Sequence, residues 1–115
     1  MKAITRKLEL GGYMSNKKEL LDAIEHYSVF TKTQRKVLKS LAEIEIDGKA
    51  IIDVNTLAKI VNTSSTAVYN AIKLFEKDNI LQIIPSANKR INSFLIKENR
   101  LQEIKEIAEK IMKIK

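Results

Sequence analysis

The chain has 115 residues, 44% of them hydrophobic and 30% charged, which is enough for one domain with a real core and too little for two. No apolar run approaches the roughly 18 residues that cross a bilayer, no signal-peptide pattern opens the sequence, and the absence of cysteine excludes disulfides and thiolate metal sites together. These features predict a cytoplasmic protein with no membrane partner, and the net charge of +7 points toward an anionic one.

Residues 1–14 read as an N-terminal arm. Ile4, Arg6, Leu8 and Leu10 alternate roughly like a strand until Gly11-Gly12 breaks the pattern. Lys2, Arg6 and Lys7 suit a minor groove, but ten terminal residues more commonly fray, so the arm is expected to order only with a partner. Ser15 then caps a predicted helix over 16–27, with Leu20, Leu21, Ile24 and Tyr27 on one face. Thr31 with Gln34 three residues on makes a capping box. The helix it starts buries Val37, Leu38 and Leu41 and runs to about residue 42. Asp47-Gly48 is a turn signal, and the β-branched run after it predicts a short strand over 50–53 that pairs with a wing. Asp53 or Asn55 caps the next helix.

The chain is organised around residues 57–81, LAKIVNTSSTAVYNAIKLFEKDNIL. Leu57, Ala58, Ile60 and Val61 give a short helix an apolar side. Asn62 falls at a sharp turn, where asparagine accepts a left-handed backbone at little cost. Ser64 is a natural N-cap. Val68, Ile72 and Phe75, with Ala71 beside them, mark the buried face of a second helix over 65–77. Its other face carries Ser65, Thr66, Tyr69, Asn70, Lys73 and Lys77, none of them acidic. Two helices joined by so tight a turn, the second with such a face, are a helix-turn-helix.

The string LAKIVNTSSTAV, followed by the aromatic Phe75, resembles the helix-turn-helix of winged-helix DNA-binding proteins, and FEKDNIL resembles their habitual leucine, charged pair, glycine and apolar close. Asn62 and Asn79 stand where that superfamily more often has glycine, and Thr63 where a larger apolar residue is usual, which predicts a partly solvated turn. The resemblance covers about residues 31–97. It implies a mainly α fold with a small β-hairpin wing (α+β): a winged helix-turn-helix domain over 15–97, with extra helices at both ends, that binds double-stranded DNA.

After Asn79, residues 80–84 are β-rich and 91–96 can return as a partner strand, with Pro85 at the end of the first because it cannot donate to a ladder. The tip between them carries Ser86, Asn88, Lys89, Arg90 and Asn92, and no acid occurs from 79 to 97. A basic, amide-rich tip that comes after a recognition helix is placed to touch DNA. Residues 98–115 form a last helix. Leu101, Ile104, Ala108 and Ile111 step by three, four and three, and Ile107 and Ile114 widen the seam. This seam is expected to pair with a second subunit, while Glu106–Lys110 and Glu109–Lys113 pair on the outside.

Catalytic chemistry has no support. His26 stands alone, no metal-ligand spacing or cofactor motif occurs, Gly11-Gly12 has no GK[ST] after it, and no GxSxG or HExxH appears. The sequence therefore reads as a double-stranded DNA-binding homodimer, a small transcriptional regulator and not an enzyme, and it specifies no small-molecule effector. Ser65, Thr66, Tyr69 and Asn70 lie nearest the bases, with Ser64 beside them in the DNA-binding set: Asn70 suits adenine, and Thr66 or Ala67 a thymine methyl. Lys73, Lys77, Asn88, Lys89 and Arg90 complete the DNA-binding set, the four cations holding phosphates. Two alternatives stand beside this. One is a plasmid or phage replication-initiation or maintenance protein. The other is a winged-helix module that binds protein, which calls for an exposed apolar recognition face where only Leu74 is a large aliphatic.

Overall fold

The computed structural model describes residues 17–85 and 92–114, with the side chains of Asn92 and Ile114 left aside. The N-terminal arm, Ser15 and the wing-tip residues Ser86, Asn88, Lys89 and Arg90 lie outside the described residues. Among the described residues, five helices and a three-stranded antiparallel sheet succeed one another as α1 (17–25), α2 (Lys32–Ile44), β1 (Lys49–Ile52), α3 (Val54–Val61), α4 (Ser65–Lys77), β2 (Leu81–Ile84), β3 (Asn92–Ile96) and α5 (Glu98–Ile114). This is a winged helix-turn-helix with a helix added at each end. No helix among the described residues is long and apolar enough to cross a membrane.

Local chemistry sets most boundaries. At α2 the capping box forms as expected: the Gln34 amide donates to the Thr31 hydroxyl and the Thr31 amide to the Gln34 side chain. The helix runs two residues past the expected end, to Ile44. Gly48 (φ +83°) comes after Asp47 (φ +53°) in the turn into β1, which begins one residue early. Asp53, not Asn55, caps α3, accepting from the Thr56 amide at 2.8 Å.

Helices α3 and α4 end the same way. Asn62 (φ +58°) and Asn79 (φ +61°) are left-handed, so asparagine performs at both sites the backbone task for which glycine is the usual choice. The residue after each donates back to the helix, Thr63 to the Ala58 carbonyl at 2.9 Å and Ile80 to the Phe75 carbonyl at 2.8 Å. The second closure also seats Ile80 in the core. Thr63 is half-buried, as a partly solvated turn requires.

In the sheet β3 lies between β1 and β2. Ala50 and Ile83 flank Phe94, and Leu81 faces Ile96, so one face of all three strands points at the helices. Pro85 comes directly after β2, outside the ladder. The core joins these residues to Ala23, Ile24, Tyr27 and Phe30, to Val37, Leu38, Leu41 and Leu57, and to Val68, Ala71, Ile72 and Phe75.

Three expectations are corrected. Ile60 is 57% exposed: α3 buries Leu57, Ala58 and Val61, an i, i+1, i+4 arc that leaves position 60 on the outside. Tyr27 lies past the described end of α1, and reaches the core from the connection to α2. The largest correction concerns α5. Leu101, Ile104 and Ala108 are 4%, 0% and 0% exposed and belong to the chain's own core, so the expected dimer seam is mostly spent inside one molecule. Of the rest of the stripe, Ile107 is 41% exposed and Ile111 and Met112 are half-buried. Glu109 pairs inward with Lys105, which also reaches Glu19 of α1.

Candidate nucleic-acid interface

The left-handed turn at Asn62 and the Ser64 cap aim α4. Ser64 accepts from the Ala67 amide at 3.0 Å, which fixes the first turn, and no acid occurs there to oppose an anion. Burying Val68, Ala71, Ile72 and Phe75 turns the opposite side outward. Thr66, Tyr69, Asn70, Lys73 and Lys77 are all exposed or half-buried at most, so the residues chosen from the sequence share one face. Tyr69, at 52%, is unusually open for an aromatic side chain.

Side-chain contacts refine the roles. The Ser65 hydroxyl donates to Asn55 Oδ1 at 2.5 Å, tying the first turn of α4 to that of α3. Its hydrogen is thereby used, and Ser65 presents lone pairs, an acceptor for a base amino group and not a donor to phosphate. Asn55 is the residue that sequence reasoning misses. Read only as a possible cap, it is exposed in the first turn of α3. Its spacing of ten from Ser65 matches no periodicity that would single it out. The Lys73 ammonium lies 5.7 Å from the Tyr69 ring centroid and 3.7 Å from Glu76 Oε1. Glu76, between Lys73 and Lys77 in the sequence, thus shares the charge of Lys73. Lys59 in the last turn of α3 and Lys77 in that of α4 are exposed cations on the same two helices. Leu74 is half-buried and packs on the core.

The far end of α4 is held from α5. Arg100 donates from Nε to the Asp78 carbonyl at 3.2 Å, pairs through Nη2 with the Asp78 carboxylate at 3.1 Å, and through Nη1 with Glu103 at 2.6 Å. The Glu103 hydrogen bond, with the Asp78 charge behind it, raises the Arg100 pKa further despite partial desolvation. Nothing in the sequence pattern pairs positions 78 and 100.

No protein-family model matches the sequence, and no curated protein matches it. The fold does match solved structures. The YusO protein from Bacillus subtilis is 19% identical, with a TM-score of 0.54 over 96% of this chain and 77% of that one. A possible transcriptional regulator from Methanosarcina mazei Go1 is 20% identical, with a TM-score of 0.55 over 79% and 77%. RV1404 from Mycobacterium tuberculosis is 18% identical, with a TM-score of 0.51 over 97% and 79%. The first and third likenesses extend over nearly the whole chain.

Proposed function

We propose that this chain is a sequence-specific double-stranded DNA-binding protein that acts as a homodimeric transcriptional regulator in the cytoplasm. The observation that carries the reading is the outward face of α4, where Tyr69, Asn70, Lys73 and Lys77 stand exposed together. In this reading α4 enters the major groove. Thr66 and Asn70 read base edges, Ser65 accepts from a base, and Lys73 and Lys77, with Asn88, Lys89 and Arg90 of the wing, grip the backbone. A regulator is preferred to a replication factor because one structurally similar protein is described as a possible transcriptional regulator. The protein-interaction alternative loses ground because the face is polar and Leu74 turns inward.

The homodimer falls to the flank of α5, with Ile107 and Ile111, and Ile114 by its place in the sequence, while Leu101, Ile104 and Ala108 serve the core. A dimer of this kind reads two half-sites about 34 Å apart, one helical turn. Selection from a random duplex pool tests the proposal. Enrichment of a two-fold symmetric sequence is expected; a pool that stays random at low salt makes the protein-interaction reading the better one.

A further inference from the structure

The recognition helix has a second determinant, at the end away from the turn. Its last carbonyls are closed by backbone amides: Asp78 donates to Leu74 at 2.9 Å, Asn79 to Glu76 at 3.1 Å and Ile80 to Phe75 at 2.8 Å. The Asp78 carbonyl and carboxylate are both taken by one side chain from another element, Arg100. Glu103, one turn along α5, fixes the guanidinium from behind at 2.6 Å. A few residues away the Lys97 amide donates to the Ile80 carbonyl at 2.8 Å, so the α4–β2 and β3–α5 junctions are stitched at two points. Beneath them Leu101 and Ile104 root the first turns of α5 in the core, which makes that end of α5 a fixed post.

A cation at a helix C-terminus is favoured by the helix dipole, and a planar fork with a fixed counter-ion also sets direction. We propose that Arg100 is a positioning residue for DNA recognition: by gripping Asp78 it sets the tilt of the recognition helix from α5. The first helical turn is aimed by Asn62 and Ser64, and the last by Arg100. The buried face of Val68, Ala71, Ile72 and Phe75 seats α4 on the core, and the contacts at its two ends trim its axis. This role rests on the DNA-binding reading for its functional consequence, but not for its mechanical one.

The test compares wild type, Arg100→Gln and Arg100→Lys in the full chain. Gln removes the charge and the fork, and Lys keeps the charge but reaches only one acceptor at a time. The Lys97–Ile80 backbone bond and the core remain, so both variants fold, which thermal melting checks. Two readouts are taken: backbone amide exchange over residues 76–80, and the ratio of affinities for the selected duplex and a random one. For Arg100→Gln we expect faster exchange at those amides and a discrimination ratio lowered about 5- to 10-fold, with grip on random duplex unchanged. Arg100→Lys falls between. Unchanged discrimination overturns the proposal and leaves Arg100 a local cap, whatever the exchange does. If wild type binds all duplexes alike, the DNA reading itself fails, and exchange alone then decides whether α5 holds the recognition helix.

Discussion

The rings of Phe30 and Phe75 meet with centroids 5.4 Å apart and planes inclined by 49°. Phe30 also meets Tyr27 in a T-shaped contact, with centroids 5.0 Å apart. These ring contacts join the α1–α2 connection to the last turn of α4, where Phe75 is fully buried. Phe75→Ala removes a large side chain from a tight site, which costs about 3–5 kcal/mol. In a domain whose whole stability is of order 5–15 kcal/mol, that leaves little. A large drop in melting temperature is expected. An unchanged one would mean that Phe75 does not anchor α4.

The inward seam of α5 makes a paired prediction. Ile104→Ala opens a cavity in the chain's own core and is expected to cost about 2–5 kcal/mol without directly touching a partner. Ile107→Glu sits on an exposed flank and is expected to leave the melting temperature nearly in place while abolishing the dimer. Sedimentation at tens of micromolar reads the second effect, since weak dimers have Kd values of about 1 μM. If Ile107→Glu and wild type sediment alike as dimers, the interface lies elsewhere. If wild type is itself a monomer there, the dimer is lost as an idea.

How much of the fold is legible in the sequence depends on which interactions leave a local trace. The Thr31–Gln34 box, the Ser64 cap and the left-handed Asn62 and Asn79 are decided within six residues, and each is readable from residue type and spacing. The buried phase of α4 is readable because thirteen residues repeat a period several times; α3 has eight, too few to tell that Ile60 falls outside the arc. The α5 seam illustrates a deeper limit. A three-four spacing says that a helix buries a stripe, but a stripe looks the same whether its partner is the chain's own core or a second copy. Asn55–Ser65 and Asp78–Arg100 are tertiary pairs with no period at all. For the wing tip, Asn88, Lys89 and Arg90 remain expectations from composition.

Lys39 of α2 and Glu25 of α1 form an ion pair between the two helices. The Lys39 hydrogen bond, then its charge, hold the Glu25 carboxyl below its ordinary value, and Glu25 in turn raises Lys39. A depressed carboxyl contributes stability above its unfolded pKa, about 4.3, and loses it as pH falls through the lower folded value. The raised lysine contributes below about 10.4 and loses its share as pH climbs through the folded value. Glu25 is more than half exposed, so screening keeps the pair below about 1 kcal/mol. The expected result is a small melting deficit for Lys39→Gln that is constant near neutrality and vanishes in acid. A deficit that persists once Glu25 is protonated would assign it to packing of the lysine stem.

Asn70 and Lys77 separate reading from grip. Both are exposed on α4, seven residues and about two turns apart, so they stand on the same face. Asn70 offers a paired donor and acceptor, the pattern that matches the adenine edge in the major groove. Lys77 offers charge, near the end of the helix. Asn70→Ala is expected to cost about 1–3 kcal/mol on the selected duplex only, with the salt dependence nearly unchanged. Lys77→Gln is expected to weaken selected and random duplexes alike and to lower the slope of log affinity against log salt by roughly 0.9, one phosphate contact. Adding Lys89→Gln and Arg90→Gln should lower it further by similar steps if the wing lies on the backbone. Lys73 should give less than a full step, because Glu76 at 3.7 Å already shares its charge. Salt titrations on both duplexes measure all of these. An Asn70→Ala protein that loses the same factor on each would show that α4 holds DNA without reading it.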